Sequence, residues 1–212
     1  MRSAGIVTLA LLLVPVAGLA QALPQNSEPT VIYFVRHGEV DPTLPTFPLS
    51  AAGKRRAEVF ARTVGDVDFT IVLSSHTTRA REMVEPVARA RQLVVQQLPM
   101  PGARLDGVVV SDAMPSNAAV GPLVDALRRV PQGGRVLVGV DSDNIYAILH
   151  GLGVPSATAE NSCMGGATCV PCLTNACFPG GEDQLWILVL TADTTGAKRP
   201  TLIELRYGAT VP

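Results

Sequence analysis

The sequence has no excess of positive charge. Lys plus Arg total 17 against 18 Asp plus Glu, a formal net charge of −1. No basic field therefore exists to hold nucleic acid or an anionic membrane surface by bulk electrostatics, and any anion must be recognised locally. Charge of either sign is scarce, at 17% of the chain. Internal repeats and low-complexity blocks are lacking, which excludes a repeat array. Beyond the N-terminus no apolar run reaches the roughly 20 residues that cross a bilayer, which excludes further transmembrane helices. Cysteine is missing everywhere except at Cys163, Cys169, Cys172 and Cys177, so any covalent cross-link or thiolate site is confined to one short segment.

What is present begins with Arg2, an apolar stretch from Ile6 to Val16, and small residues at Ala17, Gly18, Ala20 and Ala22. That order predicts a secretory signal peptide over residues 1–22, cleaved after Ala22. Residues 23–212 then form the mature chain, sized for one domain with its own core. The expected location is outside the cytoplasm, periplasmic or secreted, with no membrane span after cleavage.

Short β-branched runs alternate with helical periodicity. Val31–Val35, Phe69–Leu73, Val136–Val140 and Leu185–Leu190 are nearly continuous apolar runs, as in strands covered on both faces. Thr201–Tyr207 alternates Ile203, Leu205 and Tyr207 against Glu204 and Arg206 and reads as an edge strand. Helical spacing links Ala57, Phe60, Ala61 and Val64, with Ser50 as N-cap, and likewise Ala80, Met83, Val84 and Val87. It recurs at Val120, Leu123, Val124 and Leu127, and at Ile145, Ile148, Leu149 and Leu152 before Gly153, which suits a helix end. Pro86 should kink the second helix or remove one of its hydrogen bonds. Residues 92–115 are less legible, with Val108–Val110 as a possible short strand. The alternation predicts an α/β fold, a three-layer α/β/α sandwich on a mainly parallel sheet.

Ligands in such sheets bind at the carboxyl ends of strands. Arg36, His37, Gly38 and Glu39 follow the first run. Ser74, Ser75, His76 and then Arg79 follow the second, and Asp141, Ser142, Asp143 and Asn144 follow the third. Arg36 and Arg79 offer planar donor forks suited to phosphate oxygens. Gly38 lets backbone approach an anion, and His37 offers a nitrogen nucleophile. Two guanidiniums would neutralise charge on a transferring phosphoryl group. Taken singly, a histidine after a strand is usually structural, and an arginine is usually a solvated charge. Their convergence on adjacent strand ends is the stronger signal.

The ordered segments VIYFVRHGE, LSAAGKRRAEVFA and IVLSSHTTRAREMVEPVA resemble the signatures of the histidine phosphatase superfamily, also called phosphoglycerate mutase-like. RVLVGVDSDNIYAILHGLGVP is similar to its third signature. The resemblance covers nearly all of the mature chain. It implies a phosphoglycerate mutase-like fold and hydrolysis of a small-molecule or macromolecular phosphomonoester. His37 would be transiently phosphorylated, Arg36 and Arg79 would bind the phosphate, and no metal or organic cofactor would take part. Gly38, Glu39, His76 and Ser142 are further candidates for contact with substrate, and Glu39 is equally placed to orient a neighbouring arginine. The general acid is not placed by any motif; Asp106 and Asp112 lie where the family often keeps it. Glu82 reads as a helix ion-pair partner, and His150 as structural.

One departure stands out. The family's third signature carries a second histidine directly after the strand, and the aligned residue here is Asp141. Replacing a donor that can be cationic by a carboxylate costs about 4 kcal/mol at roughly 4 Å and an effective dielectric near 20. That is about a thousandfold in rate or affinity if nothing compensates. Three outcomes are open. Asp141 is protonated and donates to the phosphate, or it turns to Arg36 or Arg79 while His76 fills part of its place, or catalysis is lost and a phosphate-binding or protein-interaction module remains.

The four cysteines lie in a Gly- and Pro-flanked segment, residues 161–181, which resembles an insertion into a loop that family members keep shorter. Export favours two disulfides of open pairing; a tetrathiolate zinc or iron–sulfur site is the alternative. The segment is also a candidate surface for a protein partner.

Overall fold

The computed structural model describes residues 28–98, 120–141, 144–155, 181–193 and 195–208. The proposed signal peptide, Asp106, Val108–Val110, Asp112, Ser142 and all four cysteines lie outside them.

Six strands form one sheet: β1 (Thr30–Arg36), β2 (Ile71–Ser74), β3 (Val95–Gln97), β4 (Arg135–Val140), β5 (Gln184–Ala192) and β6 (Lys198–Arg206), in the order β3-β2-β4-β1-β5-β6. The first four are mutually parallel, β5 runs antiparallel to β1, and β6 antiparallel to β5. Helices α1 (Ala51–Thr63) and α2 (Thr78–Ala90) pack with one face, and α3 (Gly121–Arg128) and α4 (Ile145–Gly151) with the other. The expected three-layer sandwich is thus observed.

Alternation along the strands divides the core in two. Ile32, Phe34, Val136, Val138 and Trp186 join Leu123, Leu127, Ile148 and Leu149 on the α3/α4 side. Val35, Val72, Leu137 and Leu185 join Ala57, Phe60, Met83 and Val84 on the α1/α2 side. Full burial of each large apolar side chain contributes about 1.5–3 kcal/mol, and the two layers together hold the sheet rigid between them.

Local signals explain the helix boundaries. Ser50 Oγ accepts from Gly53 N at 3.2 Å, capping α1 as its sequence position suggests. Past α4, Gly153 adopts φ +94° and Val154 N returns to the Leu149 carbonyl at 3.1 Å, a glycine-terminated helix end. Helix α2 continues through Pro86, so the cost there is the missing N–H donor.

Two strands take their placement from pairing with a neighbour. Strand β3, in the poorly legible region, has only three residues and little apolar periodicity, and it exists by pairing with β2. Strand β6 is an edge strand as expected, but its inward residue is Leu202, while Ile203 and Leu205 are 40% and 46% exposed. The register decides this: Leu202 pairs with Leu188 and Glu204 with Trp186, whose Nε1 donates to Glu204 at 3.0 Å.

Candidate active site

The ends of three parallel strands meet at one place. His37 N donates to the Val140 carbonyl at 3.1 Å, and Ser75 N donates to the Gly139 carbonyl at 2.9 Å. The residues that follow β1, β2 and β4 are thereby held side by side. Helix α2 sits directly on β4 here, since a Cβ on Gly139 would lie 2.2 Å from the Ala80 carbonyl oxygen. This close approach brings Arg79, on the first turn of α2, over the end of β4.

Arg79 Nε lies 2.9 Å from Asp141 Oδ1. The same carboxylate accepts from Ser75 Oγ at 2.5 Å and from Thr77 Oγ1 at 2.9 Å. Asn144 completes the arrangement: its Nδ2 donates to Oδ2 at 3.3 Å, and its Oδ1 accepts from Asp141 N at 3.1 Å. Asp141 is 2% exposed. Burial pushes its carboxyl up, but Arg79, His37 and the Ser75 hydroxyl outweigh it, and the net displacement is below the ordinary carboxylate value. Of the three outcomes left open by the sequence, the geometry matches the turn toward Arg79, with the carboxylate ionised.

His37 is 9% exposed. Its Nδ1 lies 2.8 Å from the Gly38 carbonyl oxygen, which can only accept, so Nδ1 carries the proton and Nε2 keeps its lone pair. Nε2 is 4.0 Å from Asp141 Oδ1. Burial holds the imidazole below its ordinary pKa, against the opposing pull of Asp141 and Gly38, so the ring is neutral at pH 7. A neutral ring with a defined free nitrogen is the form a nucleophile requires.

Arg36 Nη1 donates to the Gly181 carbonyl at 2.6 Å, tying the end of β1 to the chain just before β5. His76 lies beside this cluster. Its Nδ1 is buried with no hydrogen-bond partner among the described residues, and desolvation holds its pKa low despite Asp141. The Gln97 side chain fixes the His76 backbone by donating to its carbonyl at 2.7 Å. His150 is exposed on the last turn of α4.

The structure decides between the two roles open to Glu39 and changes the expectation for Glu82. Glu39 follows His37 in sequence, yet its carboxylate turns to Arg56 on α1, with Arg56 Nε donating to Oε2 at 3.0 Å. Arg56 is 6% exposed. Gly38 is closely packed, and a Cβ there would lie 3.1 Å from Gly53 Cα. Glu82 accepts the Leu49 N–H at 2.7 Å, anchoring the 40–49 loop to α2 where an ion pair along the helix was expected. Thr77 was missed as a carboxylate donor. Its visible signal is positional, because it also caps α2 by accepting from Ala80 N at 3.2 Å.

Residues 32–100 match the histidine phosphatase superfamily, branch 1. The fold is similar to that of a mycobacterial glucosyl-3-phosphoglycerate phosphatase, at 16% identity and TM-score 0.59 over 84% of this chain and 99% of that one. A structure described as mycobacterial hydrolase 2 matches at 16% identity and TM-score 0.60 over 86% and 92% of the two chains. The same glucosyl-3-phosphoglycerate phosphatase in complex with inorganic phosphate gives 16% identity and TM-score 0.56 over 84% and 98%. No curated protein matches this chain.

Among the described residues no three His, Cys, Asp or Glu side chains cluster as a metal site. Nor is any described helix long and apolar enough to cross a membrane.

Proposed function

We propose that this protein hydrolyses phosphate monoesters through a phosphohistidine on His37. The observation that carries the reading is the fixed tautomer of His37, whose Nδ1–H engages the Gly38 carbonyl while Nε2 faces the Arg79–Asp141 pair. Nε2 attacks phosphorus as the ester oxygen departs with the bonding electron pair and takes up a proton. Water then attacks the phosphohistidine, releasing inorganic phosphate and restoring the imidazole. Arg36 and Arg79 bind the phosphoryl oxygens in both steps, and charge stabilisation by such forks supplies most of the barrier reduction. The family and the phosphatases that share the fold support the reaction class. Gly38, Glu39, His76 and Ser142 are not assigned direct roles in the chemistry. Export to the periplasm or medium, with the cysteines as disulfides, fits the N-terminal residues and favours a phosphatase over a cytoplasmic mutase.

The test is rapid quenching of purified protein with a labelled aryl phosphate. Acid-labile, base-stable label on the wild type and none on His37→Ala, with hydrolysis lost in parallel, is the expected result. Undiminished hydrolysis by His37→Ala overturns the reading.

A second reading is a phosphate-binding or protein-interaction module without turnover, favoured by the ionised Asp141 carboxylate 4.0 Å from the nucleophilic nitrogen. Phosphate binding without hydrolysis of any aryl phosphate would establish it.

A further inference from the structure

We infer that Gly53, on the first turn of α1, is a positioning residue for His37: it seats the backbone whose carbonyl holds the proton on Nδ1 and keeps Nε2 bare; the inference rests on the phosphohistidine reading above. Which nitrogen of a neutral imidazole keeps its proton is set by the hydrogen bond that nitrogen makes. For His37 the bond runs from Nδ1 to the carbonyl of the very next residue, Gly38, at 2.8 Å. A carbonyl so close in the chain orients the ring only where the backbone carrying it is itself held.

Helix α1 supplies that hold. Ser50 N donates to the Glu39 carbonyl at 2.9 Å, and Arg56 Nε donates to the Glu39 carboxylate at 3.0 Å. Between these two contacts lies Gly53, buried, where a Cβ would come within 2.2 Å of the Glu39 carbonyl oxygen. A Cβ on Gly38 would in turn lie 3.1 Å from Gly53 Cα and 3.3 Å from the Gly53 carbonyl oxygen. On the other side, His37 N is tied to the Val140 carbonyl at 3.1 Å. Residues 37–39 are thereby pressed between the end of β4 and the start of α1.

Helical propensity does not account for the glycine. Inside a helix alanine is the best residue and glycine among the poorest, and Gly53 is not one of the glycines with positive φ. What glycine permits here is close approach. A side chain at this position would push the Glu39 carbonyl away from α1, and the adjoining Gly38 peptide with it. Gly53 thus acts on the ring through two backbone carbonyls.

The sequence has three histidines. Nitrogen NMR of the full chain, isotopically labelled at histidine, resolves their tautomers, and His37 is assigned by the signals missing from His37→Ala. Expected for the wild type are a protonated Nδ1 and a bare Nε2. Gly53→Ala should spread the proton over both nitrogens and lower kcat for an aryl phosphate roughly a hundredfold, the scale of misplacing a reacting group by about 1 Å. Affinity for inorganic phosphate, read by calorimetry, should change less than about threefold, because Arg36 and Arg79 are carried by β1 and α2. Ser50→Pro is the second variant. Ser50 has φ −66°, an angle proline already adopts, so the change removes the N–H that serves Glu39. Compared with Ser50→Ala, which loses the same side-chain cap but keeps the N–H, it should move the proton in the same direction.

A wild-type His37 protonated on Nε2 overturns the inference, as does a Gly53→Ala ring identical to wild type. Loss of phosphate affinity in step with kcat also overturns it, because the whole pocket has then been disturbed. If Gly53→Ala does not fold, the Ser50 pair decides: identical rings in the two variants overturn the inference. The phosphohistidine reading fails separately. If the proton moves as expected but rapidly quenched wild type carries no label, the positioning stands and the covalent step fails; if the label is present and the ring unmoved, only the positioning fails.

Discussion

Asp141 and Arg79 form an ion pair between a carboxylate that is 3% exposed and a guanidinium that is 23% exposed, Nε to Oδ1 2.9 Å. The pair exists because Gly139 lets α2 rest on β4, so a side chain from the first helical turn can reach one at the strand end. It places the acid beside His37 without leaving a buried charge unmatched. Breaking such a pair from one side is costlier than replacing it whole, since the remaining charge stays buried.

Thr77 holds Asp141 and caps α2 with the same oxygen. Thr77→Ala should lose about 1–3 kcal/mol, combining an unsatisfied buried acceptor with a lost N-cap. Thr77→Ser should retain most of it. Urea denaturation midpoints of the three proteins check this, and equal midpoints for the Ala variant and the wild type would refute it.

Acid should destabilise the protein in two stages. His37 has a folded pKa below its ordinary value, mainly through burial, so its contribution is complete above about pH 6.5 and is lost as pH falls through the folded value. Asp141, displaced downward chiefly by Arg79 against the effect of burial, contributes above the ordinary carboxylate value and is lost at lower pH still. Melting temperature against pH should show both stages. The first should be absent in His37→Gln, and a profile identical to wild type would contradict it.

Gly139→Ala places a methyl group 2.2 Å from the Ala80 carbonyl oxygen. The helix must shift, at a cost of about 1–3 kcal/mol in overpacking. Arg79 should move with it, so phosphate affinity should weaken at least about tenfold, a displacement worth about 1.4 kcal/mol. Calorimetry with inorganic phosphate alongside denaturation tests the two effects separately.

Glu39→Gln removes the charge opposite a buried Arg56 while keeping an acceptor. Because the Glu39 side chain is 31% exposed, the expected loss is only about 1 kcal/mol. With its carboxylate turned to α1, KM for an aryl phosphate should change less than about threefold, under about 1 kcal/mol. A much larger rise in KM with unchanged stability would restore Glu39 to the substrate site.

Most of the fold was legible because continuous apolar runs and helical spacing are local signals. Strands β1, β2, β4 and β5 and the four helices of the described residues were placed from them. Strand β3 was not, since three residues carry no period and its hydrogen bonds come from β2. Strand β6 lies at the sheet edge as its alternation predicts, but which of its faces is covered follows from its register with β5, which leaves Ile203 and Leu205 40% and 46% exposed.

At the site, residue types and spacing in the sequence determined that Arg36, His37, Arg79 and Asp141 would gather at strand ends, because parallel strands all point their carboxyl ends the same way. Only the tertiary structure decided which nitrogen of His37 is free, which arginine Asp141 takes, and that Glu39 belongs to Arg56. Those choices depend on distances of 2.9 Å against 4.0 Å between groups far apart in the chain. Hydrogen bonds and ion pairs discriminate on that scale, and a sequence pattern does not.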